Sequence, residues 1–136
     1  MKKKLIIFPL VFFCSIAAYA VKLTIEIRGI EKIAGSLYVG IYNSPKTFLK
    51  KPVTGFKVDV EDKKMELVCD EIKPGEYAIS LYQDENGNEK LDKGLFGIPS
   101  EKYGFSNDAA GFAGSPSYKQ CKFIFKGDKK LVINLR

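Results

Sequence analysis

The stretch VKLTIEIRG, residues 21–29, decides the class of fold. Its apolar residues Leu23, Ile25 and Ile27 alternate with polar ones, which is the period of a β-strand with one face in a core and the other in water. Six further runs have the same strand-like character: GSLYVGIYN at 35–43, TGFKVDVE at 54–61, KMELVC at 64–69, GEYAISLYQD at 75–84, SYKQCKFIFK at 117–126 and KLVINLR at 130–136. Turn-forming residues at 73–75 and 126–128 separate such runs, so we expect the last two to form a hairpin.

Seven short strands joined by turns predict an all-β domain. We expect a seven-stranded antiparallel sandwich of immunoglobulin or transthyretin-like type, with a barrel as the alternative. Only SPKTFLK, residues 44–50, favours a helix of one or two turns, because serine can cap it and Pro45 suits its first position. Phe48 and Leu49 are then expected to close one end of the core. With 136 residues and 46% hydrophobic content, the chain fits a single domain.

The first 20 residues have the organisation of a signal peptide. MKKK is followed by the apolar run LIIFPLVFFCSIAA and by Ala18-Tyr19-Ala20, which has small residues where a signal peptidase cleaves. The alternative, a membrane anchor, needs roughly 20 apolar residues, and this run is shorter and interrupted by Pro9. We therefore predict cleavage after Ala20, with residues 21–136 as the exported domain in the periplasm or outside the cell. Cys14 would leave with the signal peptide.

The net positive charge of the chain does not indicate that it binds nucleic acid. The formal charge is +6, but Lys2, Lys3 and Lys4 belong to the predicted signal peptide, and without them the charge is +3. The other lysines are spread over strand ends and turns and form no basic stripe. We expect no nucleic-acid partner.

Two cysteines remain after the predicted cleavage, and both are expected to face inward. Cys69 shares a strand face with Leu67, and Cys121 shares one with Phe123. In an oxidising compartment they favour a disulfide across the core, and two buried free thiols are the alternative. A metal site at this pair is not expected, because the chain has no CxxC motif and no histidine.

The absence of histidine also restricts catalysis. Hydrolytic triads, most zinc sites and most general-base chemistry near neutral pH use imidazole. No serine lies in a GxSxG setting, and no carboxylate pair stands out beyond residues 84–92. We expect a protein that is not an enzyme.

The run DENGNEKLD, residues 84–92, is the candidate metal site. Calcium loops place oxygen ligands at alternate positions, with a backbone carbonyl at the seventh and a further oxygen at the ninth. Five residues have this spacing, with Lys90 contributing its carbonyl: Asp84, Asn86, Asn88, Lys90 and Asp92. Further oxygen ligands could come from Glu85, Glu89 or Glu101. Calcium is accordingly the one cofactor that the sequence indicates.

A hydrogen-bonded turn without metal is the alternative for the same residues. An EF-hand has glycine at position 6 and glutamate at position 12, whereas these positions hold Glu89 and Leu95. Asn86-Gly87 is a favoured two-residue hairpin turn, and Asp and Asn side chains close such turns through nearby backbone N–H groups. Spacing alone leaves both interpretations open.

Residues 95–118 form a connection too long for an ordinary hairpin. Such loops are usually functional or disordered, and six large apolar residues argue for order: Phe96, Ile98, Tyr103, Phe105, Phe112 and Tyr118. We expect an ordered flap over one end of the sandwich, which either covers core edges or binds a ligand or partner. The candidate binding residues are Glu101, Tyr103, Phe105 and Asn107.

These two segments carry a family resemblance. PGEYA at 74–78, YQDENGN at 82–88, KLD at 90–92 and GIPSEKYGFSN at 97–107 resemble domain-of-unknown-function family 2141, and the likeness extends more loosely from residue 35 to residue 125. The resemblance implies a secreted or periplasmic bacterial β-sandwich without an established activity. The family usually has glycine where this chain has Glu89.

Three functions are consistent with these features. The leading hypothesis is an exported binding module whose ligand or protein partner contacts the end formed by the acidic loop and the flap. The second is a metal-dependent hydrolase using Asp84, Asp92 and Glu101. The third is a structural cell-envelope component, in which Tyr38, Tyr42 or Tyr82 pairs with another protein or a glycan.

Overall fold

A computed structural model describes residues 21–136, and the predicted signal peptide lies outside the described residues. The described chain is a two-sheet β-sandwich, which confirms the predicted fold class, with eight strands instead of seven. The strands are β1 (Leu23–Arg28), β2 (Ser36–Tyr42), β3 (Thr54–Asp59), β4 (Met65–Cys69), β5 (Gly75–Asp84), β6 (Tyr103–Phe105), β7 (Phe123–Phe125) and β8 (Lys129–Asn134). One short helix, α1 (Tyr118–Cys121), and two 3₁₀ turns, Leu95–Gly97 and Ser106–Asp108, interrupt the later loops.

The smaller sheet has the order β4-β1-β8, and the larger has the order β3-β2-β5-β6, with β7 also paired to β5. All neighbours are antiparallel except β1 and β8, which run parallel with Ile27 opposite Ile133. The predicted hairpin between the last two runs is therefore wrong. The chain crosses from β7 in one sheet to β8 in the other, so β8 approaches β1 in the parallel direction.

The predicted strand at 117–126 is also shortened by a local signal. Ser117 accepts a hydrogen bond from the Gln120 N–H, and the Gln120 side chain accepts one from the Ser117 N–H, which together form a capping box. This reciprocal pair starts α1, and only Phe123–Phe125 stays extended. At residues 44–50, hydrogen-bonded turns replace the predicted helix, and Leu49 is exposed with a left-handed backbone while Phe48 is buried.

The main core lies between the sheets. The inward residues predicted from the first strand, Leu23, Ile25 and Ile27, are all fully buried there. Burial of one such side chain stabilises a fold by about 1.5–3 kcal/mol. A second cluster covers the other face of the larger sheet and contains Tyr42, Phe48, Ala78, Phe105, Tyr118 and Cys121.

The predicted disulfide is not formed. Cys69 and Cys121 are free and buried, the first in the main core and the second in the cluster on the other face of the larger sheet. Burial raises the pKa of the Cys121 thiol to about 11, which keeps it neutral. Across the described chain, no helix is long and apolar enough to cross a membrane.

Candidate functional site

The acidic loop, residues 84–92, starts at the end of β5 with a buried carboxylate. Asp84 is 1% exposed; its Oδ1 accepts the Gly87 N–H at 3.0 Å and its Oδ2 accepts the Glu89 N–H at 2.8 Å. The backbone at Asp84 also lies against Gly35, where a Cβ would be 1.8 Å from the Asp84 carbonyl oxygen. Only glycine fits at that position, since its φ of +66° is in the left-handed region as well.

The exposed half of the loop is held by side-chain amides. Asn86 and Asn88 each donate from Nδ2 to one oxygen of Asp92, at 2.6 and 2.7 Å. The Asn86 Oδ1 accepts the Asn88 N–H, and the Asn88 Oδ1 accepts the Lys90 N–H, at 3.1 and 3.0 Å. The nitrogen and the oxygen of each side-chain amide therefore both have a hydrogen-bond partner, and the Asp92 carboxylate closes the loop.

Glu101 ties the loop to the flap. It is buried, and its two carboxylate oxygens accept the N–H groups of Glu85 and Asp92, each at 3.0 Å. The Ser100 N–H donates to the Asp92 carbonyl at 2.8 Å in the same region. A single side chain thus joins the second and the last residues of the acidic loop.

The structure brings the predicted metal ligands together. Asp84, Asn86, Asn88 and Asp92 share one hydrogen-bonded network, and Lys90 belongs to it through its N–H. The residue at position 6, Glu89, has a φ of 63°, the left-handed conformation that glycine provides in an EF-hand. Within residues 21–136, no three His, Cys, Asp or Glu side chains are grouped so that they could hold a metal ion.

The two-residue hairpin that was one alternative at Asn86-Gly87 is not formed, because the chain returns to the sheet only at β6. Between the acidic loop and β6 lies a short projection, the apolar tip, which comprises Leu95, Phe96, Gly97 and Ile98. Its three large side chains are 84%, 98% and 64% exposed in chain order. The base of the tip is closed by a β-bridge between Lys93 and Pro99 and by a 2.7 Å hydrogen bond from the Gly94 N–H to the Ile98 carbonyl.

The four residues predicted as a binding surface differ in their exposure to solvent. Phe105 is 6% exposed and belongs to the cluster on the outer face of the larger sheet, so its prediction as a surface residue is wrong. Glu101 is buried as described, and Tyr103 is half-buried at an edge-to-face contact with Phe105. Asn107 is exposed, but its amide donates to the carbonyls of Gln120 and Lys122. The flap from Tyr103 to Asn107 is thus mainly a packed layer.

The apolar tip is the feature that sequence reasoning missed, because it expected Phe96 and Ile98 to fold over the core. In the run GLFGIP, glycines flank the apolar residues and the alternation of a strand is absent. That interruption is a signal for a projecting turn. Phe112, elsewhere in the flap, is fully exposed as well.

Two stacked tyrosines of the larger sheet, Tyr38 and Tyr82, lie near the acidic loop. The rings of Tyr38 and Tyr82 are stacked at 5.3 Å, and the Lys57 ammonium lies 5.5 Å from the Tyr38 ring centre. The Tyr82 hydroxyl donates to the Glu89 carbonyl at 3.3 Å, and burial raises the pKa of that hydroxyl. Both faces of the Tyr38 ring are therefore occupied by neighbours, and Tyr42 is buried.

Fold and site together define a β-sandwich protein with a hydrogen-bonded acidic loop and an exposed apolar tip at one end. The chain belongs to domain-of-unknown-function family 2141, whose members are described as an uncharacterized protein conserved in bacteria, and the match covers residues 25–133. The resemblance expected from residues 74–107 is thereby confirmed. Comparison with curated proteins and with solved structures gave no match.

Proposed function

We propose that this protein is an exported, non-enzymatic binding module whose partner contacts the apolar tip and the adjacent acidic loop. The carrying observation is the exposure of Leu95, Phe96 and Ile98 on one projection of the backbone. Contiguous exposed apolar groups with polar surroundings are typical of interaction sites, whereas single exposed residues need no explanation. The signal-peptide features of residues 1–20 support export, which predicts a mature protein that starts at Val21.

The tip is organised before any partner arrives. The bridge at its base, the Gly94 hydrogen bond and the link through Glu101 restrict its backbone. Phe96 has a φ of 60°, a conformation that costs a non-glycine residue energy and that is found often at functional sites. A pre-ordered loop loses less conformational entropy on binding, so more of its contact energy contributes to affinity.

The size of the tip indicates how much affinity it can provide. Burial of one fully exposed Leu, Ile or Phe side chain contributes about 1.5–3 kcal/mol, so three partly exposed ones contribute roughly 4–7 kcal/mol before the cost of association. That is enough for the centre of an interface and too little for a complete one. We therefore include the exposed side chains of Glu89, Lys90 and Lys93 in the proposed contact surface.

Site-specific crosslinking in the producing bacterium tests this function. A photoreactive phenylalanine at position 96 should give a defined adduct, and the same group at position 124 should not, because Ile124 is exposed on β7 far from the tip. Leu95→Ser should weaken the adduct without changing the melting temperature. Equal adducts at both positions, or none at position 96, would contradict the proposal.

Calcium bound by the acidic loop is a second element of this proposal. Its support is the gathering of oxygen-bearing side chains from Asp84 to Asp92 and the left-handed backbone at Glu89. Calcium would take over oxygens that now accept N–H groups. A saturable rise in melting temperature on calcium titration, abolished by Asp92→Ala, is expected; no rise at millimolar calcium would restrict the loop to its hydrogen-bonded role.

The hydrolase alternative has a separate test. Both carboxylate oxygens of Asp84, Asp92 and Glu101 accept hydrogen bonds from the loop, which supports a structural role for these residues. Chelator-sensitive turnover of ester, phosphate or glycoside substrates would favour an enzyme. The envelope-component alternative predicts partner binding that depends on Tyr38 or Tyr82 and not on Phe96.

A further inference from the structure

A cleft of about 350 Å³ opens at the end of the sandwich opposite the acidic loop. It lies between β3 and β4, the edge strands of the two sheets, and reaches Tyr77 near the start of β5. Strands rise about 3.3 Å per residue, so Tyr77 and Asp84 are roughly 23 Å apart along β5. The cleft is therefore independent of the apolar tip and of the acidic loop.

The walls of the cleft are apolar. Phe56 and Tyr77 are half-buried and pack against the main core, while Ile72 and Cys69 are buried. The Tyr77 hydroxyl donates to the Lys73 carbonyl at 2.7 Å, which satisfies its polar atom and fixes the ring. Burial and the neighbouring Asp70 carboxylate raise the pKa of the Cys69 thiol, so this group is neutral and behaves as a small apolar side chain.

The rim of the cleft carries a net negative charge. Asp70 and Glu71 are exposed there, and Lys73 provides one opposing charge. In the part of the chain that the structure describes, neither carboxylate is within ion-pair distance of a cation. Two carboxylates without a partner beside an apolar cavity match a ligand with an apolar body and a cationic head.

We propose that this cleft binds a small amphipathic cation, with its hydrocarbon part between Phe56, Ile72 and Tyr77 and its ammonium group at Asp70 and Glu71. The volume equals that of about a dozen water molecules, and pockets for small ligands begin near this size. A ligand with a hydrocarbon chain of about eight carbons matches this volume. The edge strands leave the opening accessible without any movement of the sheets.

The test uses n-alkylamines as probes and calorimetry as the readout. Each methylene buried should tighten binding about fourfold, so octylamine should bind roughly fifteenfold more tightly than hexylamine. Octanoate should bind several-fold more weakly than octylamine, and the Asp70→Asn/Glu71→Gln double variant should remove that difference. Equal affinity of butylamine and octylamine, or of octanoate and octylamine, would overturn the proposal.

Two further measurements place the probe in the cleft. Saturating octylamine should slow alkylation of Cys69 at least fivefold, with Cys121 as the internal control in peptide mass spectrometry. Thr54→Trp should fill the cleft, because Thr54 lines it on the face of β3 that carries Phe56, and should abolish octylamine binding. Ile33→Trp, at an exposed position outside the cleft, should bind octylamine normally. Unchanged alkylation, or normal binding by a folded Thr54→Trp variant, would refute the site.

Discussion

Replacing Asp84 with asparagine should lower the free energy of unfolding by about 2–4 kcal/mol. Its carboxylate accepts two backbone N–H groups, and a hydrogen bond to a charged group contributes about 1.5–3 kcal/mol. Asparagine keeps one acceptor and turns an NH₂ group toward the other N–H. Because the Asp84 side chain is 1% exposed, water has little access to the position of the lost acceptor, and one of the two N–H donors loses its partner.

Urea unfolding in the presence of a chelator is the assay, so that any contribution of calcium is absent. For a domain of this size, the expected loss corresponds to a fall in melting temperature of roughly 8–16 °C. Asp92→Asn is the matched control, because the Asp92 carboxylate accepts hydrogen bonds only from exposed side-chain amides, so this substitution should cost less than about 1 kcal/mol. If Asp84→Asn stays within about 0.5 kcal/mol of the native protein in chelator, the inference that this carboxylate holds the loop by hydrogen bonds fails.

Three further substitutions have expected outcomes. Gly35→Ala should cost more than about 3 kcal/mol in urea unfolding, because its Cβ would lie 1.8 Å from a backbone oxygen, whereas Gly87→Ala, with free space around it, should cost only about 1 kcal/mol of backbone strain; similar values would refute the steric argument. Phe105→Ala should lower the free energy of unfolding by about 3–5 kcal/mol, because that ring is only 6% exposed, whereas Phe96→Ala should cost under about 0.5 kcal/mol, because that ring is 98% exposed. If thermal unfolding shows the larger loss for Phe96→Ala, the assignment of one ring to the core and the other to solvent is refuted. Glu26→Gln should be less stable than the native protein at neutral pH. Ion pairs, the largest with Lys130 and then Arg28, lower the pKa of the Glu26 carboxyl from 4.5 to about 2. The stabilisation by the Glu26 carboxylate is therefore complete above pH 4.5 and is lost as the pH falls through about 2. A stability difference that does not change between pH 7 and pH 2 would contradict this assignment.

The organisation of the fold could largely be predicted from the sequence. Leu23, Ile25 and Ile27 face the core because alternation along a strand is a local property of the backbone. The residues of the acidic loop also meet as their spacing indicates, since asparagine and aspartate bond to backbone groups two or three residues away. The family was recognisable for the same reason, because its motifs lie in continuous runs between residues 74 and 107.

The tertiary structure alone decided which strands pair and which apolar side chains are covered. The pairing of β8 with β1, and of β7 with β5, joins residues distant in the chain, and no local pattern specifies such partners. Phe96 and Phe105 are the same residue nine positions apart, yet one projects into solvent and the other fills the cluster on the larger sheet. Composition sets how much apolar surface the chain has, and the path of the backbone determines which part of it remains exposed to solvent.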